Sequence, residues 1–148
     1  MKKIVFCLLA CWTAFQIKAA EDQWMTDLPK AQARAKAEKK LLLMDFTGSD
    51  WCPPCMALKK NVLSSPEFEK FAKDNLVLVE VDFPNSKPQT GELKKANQAL
   101  SDKFKVEGFP TLIVLDSNGK ELSRNLGIDG IDKPKGLISK LEKLKNKS

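Results

Sequence analysis

Trp51-Cys52-Pro53-Pro54-Cys55 places two cysteines three positions apart, and the rest of the chain reads outward from that pair. The 148 residues contain four cysteines and no histidine. The other two cysteines, Cys7 and Cys11, fall in a leader that opens Met1-Lys2-Lys3, runs uncharged to Ile17 and closes Lys18-Ala19-Ala20. A basic start, an apolar run and small residues before a polar segment are the marks of a secretory signal peptide. Residues 1–20 are therefore read as a removable signal and 21–148 as the working domain. The apolar run falls short of the roughly 20 residues a membrane-spanning helix needs. Leu8-Leu9-Ala10-Cys11 also fits a lipoprotein signal with Cys11 as the lipidated residue, the minor alternative, and an uncleaved anchor is the third. Each version puts the domain in the periplasm or another extracytoplasmic space, and removal of residues 1–20 leaves Cys52 and Cys55 as its only cysteines.

A Cys-x-x-Cys ring is too small to constrain an unfolded chain much, so a purely structural staple is a weak explanation of the pair. Copper or zinc binding would need further ligands, and the sequence offers no imidazole and no second cysteine pair. The absence of histidine also excludes Cys-His nucleophilic catalysis. Losing Lys2, Lys3 and Lys18 with the signal takes the 25 basic residues to 22 against 19 acidic ones, a net charge of only +3. That balance gives no case for a nucleic-acid partner. No metal or cofactor is expected.

Hydrophobic patterning places the pair in an α/β domain. Residues 27–40 read as a helix capped by Asp27, with Pro29 in the first turn and Leu28, Ala31 and Ala35 on one face. Residues 41–46 (Leu-Leu-Leu-Met-Asp-Phe) and 76–83 (Leu-Val-Leu-Val-Glu-Val-Asp-Phe) are short apolar runs that suit strands buried on both faces. Between them, residues 56–63 have helical character, and Ser65-Pro66 restarts a helix with Phe68, Phe71 and Ala72 inward. This βαβ order implies a parallel pair. Residues 84–88 are a turn-rich loop, followed by a helix over 89–105 with Leu93, Ala96, Asn97, Leu100 and Phe104 inward. Residues 111–115 and 121–126 form an antiparallel hairpin, and a final helix covers 134–146. The expected architecture is a three-layer sandwich, a small mixed sheet with helices on both faces. It sets the dithiol at the carboxyl end of the first long strand, where open α/β sheets build their sites.

There the prolines suit the first helical turn, where a missing N–H costs nothing. Cys52, at the helix start, would be the exposed, low-pKa nucleophile, and Cys55, one turn on and more buried, the resolving thiol.

Asp45-Phe46, the Trp51–Cys55 motif and Gly108-Phe109-Pro110-Thr111, in that order and with this strand pattern, resemble the thioredoxin-fold superfamily from Trp24 to Lys145. Phe46-Thr47-Gly48-Ser49-Asp50-Trp51-Cys52 and Ser65-Pro66-Glu67-Phe68 look like exported bacterial thioredoxin-like proteins. The resemblance implies a thiol–disulfide oxidoreductase in which Pro110 is a cis-proline facing the dithiol. It implies Asp45 as proton acceptor for Cys55, the alternative being a solvated strand-end carboxylate, and Trp51, Phe109 and Thr111 as substrate-facing residues. A disulfide-containing protein would be the substrate, and a membrane thiol–disulfide protein the electron donor. Proline rather than histidine before Cys55 leans the couple toward reduction. The alternatives are a disulfide-forming oxidase or isomerase, and a non-catalytic copper- or partner-binding module.

Three departures bear on this reading. The stretch between Asp45 and Cys52 is one residue longer than in cytosolic thioredoxins. The family's buried lysine is matched by Leu78, and its kink-forming proline by Lys60. Glu80 and Glu107 are expected to be solvated.

Overall fold

Strands β2 (Leu41–Thr47) and β3 (Leu76–Asp82) run parallel at the centre of the computed structural model, paired from Leu41↔Leu76 to Thr47↔Asp82. The structure describes residues 23–125 and 133–147, so the signal segment with Cys7 and Cys11, and Leu126 at the expected end of the hairpin, lie outside the described residues. β4 (Thr111–Leu115) joins β2 antiparallel, and β5 (Glu121–Arg124) closes the hairpin on β4. A two-residue strand, β1 (Trp24–Met25), lies parallel to β3. Sequence patterning misses β1 because two residues carry no period. The sheet order is β1-β3-β2-β4-β5.

The helices start and stop where their caps dictate. Helix α1 (Leu28–Glu38) is capped by Asp27, whose carboxylate accepts from the Lys30 N–H at 2.9 Å. It ends at Lys39, held left-handed at φ 53°, short of the expected Lys40. Helix α2 is Pro53–Leu58 and runs directly into a π-helical turn, Lys59–Leu63. Ser65 caps α3 (Pro66–Asn75) by accepting from Phe68 N at 3.2 Å, with Pro66 opening the helix as expected. Thr90 caps α4 (Gly91–Phe104), and α5 is Pro134–Lys145. Asp116 closes the β4–β5 turn by accepting from the N–H groups of Asn118 and Lys120, and Gly119 supplies the positive φ of 89° that this turn requires.

Alternation along the central strands splits the core into two layers. Leu41, Leu43, Leu78, Leu112 and Val114 face Leu58, Phe68 and Leu141 of α2, α3 and α5. On the opposite face Leu42, Met44, Phe46 and Ile113 pack against α1 through Ala31 and Ala35. Each fully buried Leu or Phe here stabilises the fold by roughly 1.5–3 kcal/mol. Helix α4 sits more loosely than its periodicity suggests. Asn97 is buried, Leu93, Leu100 and Phe104 are half-buried, and Ala96 is exposed rather than inward. Asn97 is drawn in by a polar contact, its amide donating to the Asp82 carbonyl at 2.8 Å. Among the described residues no helix is long and apolar enough to cross a membrane.

Candidate active site

Cys52 is the N-cap of α2, with an extended backbone (φ −100°, ψ 101°), and Pro53 and Pro54 occupy the first helical positions. Its sulfur is joined to that of Cys55 in a disulfide whose Cα atoms are 5.3 Å apart. The expected contrast in exposure is absent: Cys52 is 4% exposed and Cys55 3%. Two constraints account for this correction. A disulfide turns each sulfur toward the other, and the Cys52 N–H donates to the Gly48 carbonyl at 3.0 Å, folding its backbone under the preceding turn.

The π-helical turn directly after α2 stands where the family's kinking proline would lie, with Lys60 inside it. Its fivefold spacing is closed by Ser64 N donating to the Lys59 carbonyl at 2.8 Å. Lys59 reaches the sheet from here, with Nζ 2.9 Å from a Glu80 carboxylate oxygen and 4.3 Å from the centre of the Trp24 ring. Glu80 is therefore a half-buried, ion-paired residue rather than a freely solvated one; Glu107 is exposed, as expected. A cavity of about 410 Å³ opens beside Cys55 and is lined by Lys59, Lys60 and Glu80 among others.

Asp45 sits on β2 opposite Glu80 of β3 and Leu112 of β4. Pleat alternation puts it on the same face as Leu41 and Leu43, the face that α2 covers. It is 2% exposed, and its Oδ1 is buried without a hydrogen-bond partner. Burial pushes its carboxyl up from 3.8 to about 7; Lys59 pulls the other way, while Glu80 and Asp82 add to the rise. Asp45 is thus no solvated strand-end carboxylate. It is a group that takes up or releases a proton near neutral pH, on the face of the sheet that carries the disulfide. Leu78, in the family's lysine position, is buried in the core, and the cation acting on Asp45 comes from the π-helical turn instead.

The Phe109–Pro110 peptide bond is cis, and Pro110 is buried at the start of β4. Because Thr111 pairs with Phe46, one residue before the end of β2, this loop lies at the same sheet edge as the Cys52 segment. The Thr111 hydroxyl donates to the Gly108 carbonyl at 2.7 Å and so holds the loop's own turn. Phe109 bridges core and site: it packs on the α1-side core, stacks on Phe83 at 5.0 Å between ring centres, and meets Trp51 edge-on at 6.0 Å. Trp51 is 43% exposed and Met56 44%, so the two large exposed apolar side chains found among the described residues flank the disulfide on either side.

Sequence reasoning gave no role to Gly48. A Cβ there would lie 2.5–2.7 Å from atoms of the Trp51 indole, so only glycine lets the ring settle on this turn. A glycine after a strand signals a turn but does not reveal which side chain needs the space. Lys59 was likewise unmarked, because one lysine in a Lys-rich chain carries no signal. Among the described residues, no group of three or more Cys, Asp or Glu is arranged to hold a metal ion.

Comparison with known proteins agrees with the fold. A family model for a thioredoxin-like domain matches residues 28–145. The chain is 42% identical over 108 residues to the disulfide bond reductase DsbH of Chlamydia pneumoniae, covering 73% of this chain and 64% of that protein. It is 35% identical over 128 residues to the thioredoxin-related protein DsbJ of Chlamydia pneumoniae, covering 82% of this chain and 37% of that one. Both matches span less than two thirds of the relative's own length. The solved structure of a DsbH oxidoreductase is similar with a TM-score of 0.73 and 36% identity, over 88% of this chain and 89% of that one.

Proposed function

The chain belongs to the thioredoxin-like domain family, and on that premise we propose that it is an exported thiol–disulfide oxidoreductase that reduces disulfides in other proteins. One observation supports the proton transfer that this cycle needs. A carboxyl with a pKa of about 7 and an unpartnered oxygen lies on the sheet face that α2 covers, suited to accept the proton of the resolving thiol.

In this mechanism the Cys52 thiolate attacks one sulfur of the substrate disulfide. The Cys52–substrate bond forms, the substrate S–S bond breaks, and one substrate thiolate leaves. Cys55 then gives its proton to the Asp45 carboxylate and attacks Cys52. The second substrate thiolate leaves, and the Cys52–Cys55 disulfide remains. The substrate has gained two electrons and, on protonation, two protons. Trp51 and Phe109 would face the substrate beside the cis-Pro110 loop.

The prolines support the reducing direction. With no N–H on Pro53 or Pro54, Cys55 is the only one of the first three helical residues that can donate to a Cys52 thiolate. A less stabilised thiolate makes the reduced form a better reductant. Read as a signal, the 1–20 leader would send the domain outside the cytoplasm, into an oxidising space. A membrane thiol–disulfide protein would then recharge the dithiol, and the reductase named among the relatives fits that assignment.

Reduction of insulin by the purified domain tests the activity: turnover is expected, with loss of at least 99%, roughly two orders of magnitude, in Cys52→Ser. Equilibration with glutathione buffers tests the direction. A potential nearer the about −270 mV of thioredoxin is expected, and one near the about −120 mV of a dedicated oxidase would overturn the reductase reading.

A further inference from the structure

The stretch that is one residue longer than in cytosolic thioredoxins is stitched to the end of β3 and to the segment after it. Thr47 accepts from the Phe83 N–H at 2.9 Å. Ser49 donates to the Asp82 carboxylate through its N–H at 2.9 Å and its hydroxyl at 2.6 Å, and Lys87 Nζ donates back to Ser49 Oγ at 2.9 Å. Trp51 Nε1 donates to the Phe83 carbonyl at 2.7 Å. Asp50 gathers three backbone donors: Oδ1 accepts from Asn85 N at 2.9 Å, and Oδ2 accepts from Ser86 N at 2.7 Å and Lys87 N at 2.9 Å. A carboxylate that gathers three successive backbone N–H groups fixes the course of that backbone.

That backbone carries what orients Trp51. The Phe83 carbonyl anchors the indole N–H, and the Phe83 ring stacks on Phe109, which meets Trp51 edge-on. Gly48 leaves the indole its floor. Asp50 touches neither sulfur in this network and acts only through the loop it holds.

We propose that Asp50 is a positioning residue for disulfide exchange: by clamping residues 85–87 it holds Phe83 and Trp51 as a rigid aromatic ledge against which the substrate segment next to its reacting cysteine is seated. This rests on the oxidoreductase reading above and names a residue to which that reading gives no part. Aromatic side chains that are exposed yet held rigid make strong recognition anchors, because little side-chain freedom remains to be lost on binding.

Asp50→Asn separates a charged clamp from simple space filling. An amide keeps one oxygen but turns an NH₂ group on at least one of the N–H donors, so a near-isostere should break the clamp. With a disulfide-containing peptide as substrate, Asp50→Asn is expected to raise KM about tenfold and leave kcat within about twofold. Asp50→Glu, which retains both oxygens on a longer stem, is expected to fall between wild type and Asp50→Asn. Amide exchange followed by NMR gives a readout that needs no turnover: the Trp51 indole N–H should exchange at least about tenfold faster in Asp50→Asn, with the amides of β2 and β3 unchanged. An unchanged KM in Asp50→Asn, an indole N–H as protected as in wild type, or Asp50→Glu behaving worse than Asp50→Asn would each overturn the proposal. If wild type itself reduced no disulfide, the proposed activity would fall, and the indole exchange would still decide whether Asp50 holds Trp51.

Discussion

Asp45, near the end of β2, and Asp50, in the turn that follows it, stand five positions apart, yet their surroundings drive them in opposite directions. Asp45 is sealed under a helix with one oxygen unpartnered, and burial raises its carboxyl to about 7. Asp50 sits at the rim with three backbone N–H groups on its oxygens, and those bonds hold its carboxyl below the usual 3.8. One is poised to change protonation near neutral pH; the other remains charged and holds a loop. The residue type is the same, and what differs is whether water or backbone donors reach the oxygens.

The contrast has a pH signature. Asp45 binds its proton more tightly in the folded state, so its burial is free of penalty below pH 3.8 and costs more as pH rises from 3.8 to about 7. That loss is on the order of 4 kcal/mol across the window. Asp50 has the opposite sign. Its contribution is present above pH 3.8 and is lost as pH falls below it.

The largest effect is expected from Asp45→Asn. Disulfide reduction at pH 7 should fall about a hundredfold, the lower end of what a positioned proton acceptor contributes. Urea unfolding should show a gain in stability at pH 8, up to about 4 kcal/mol, and none at pH 3.5. Equal gains at both pH values would mean that Asp45 is not buried as a strained acid, and the contrast with Asp50 would break.

Gly48→Ala strikes the rim side. The added methyl would overlap the Trp51 indole, so a loss of about 1–3 kcal/mol and a shift in tryptophan emission are expected. Unchanged emission would show that Trp51 does not depend on this turn. A smaller effect is expected of Lys59→Gln, at a residue that is 39% exposed in its side chain. Removing the cation that pulls the Asp45 carboxyl down should move the alkaline rise of activity to higher pH, with a stability loss of no more than about 1 kcal/mol. A pH profile that does not move would show that Lys59 leaves Asp45 untouched.

Much of the frame could be read along the chain. Asp27 and Ser65 cap helices at the expected places, Pro53, Pro54 and Pro66 open helices, and β2 and β3 pair in parallel as their continuous apolar runs imply. The misreadings have local causes. Helix α1 stops early because Lys39 turns left-handed, Ala96 faces outward because Asn97 is held by the Asp82 carbonyl, and β1 is too short to show a period. Cys52 lost its expected exposure to the disulfide and to the turn beneath it.

By itself the sequence determined the dithiol motif, the order of strands and helices around it, and the proline at the start of β4, because local spacing and backbone restriction act within a few residues. Only the tertiary structure decided the chemistry around those parts. Lys59 meets Glu80 across 21 positions, Trp51 meets the Phe83 carbonyl across 32, and Asp50 collects Asn85, Ser86 and Lys87 across 35 to 37. No periodicity records which loops converge at a sheet edge or which carboxylate a helix will seal from water. Those contacts separate Asp45 from Asp50.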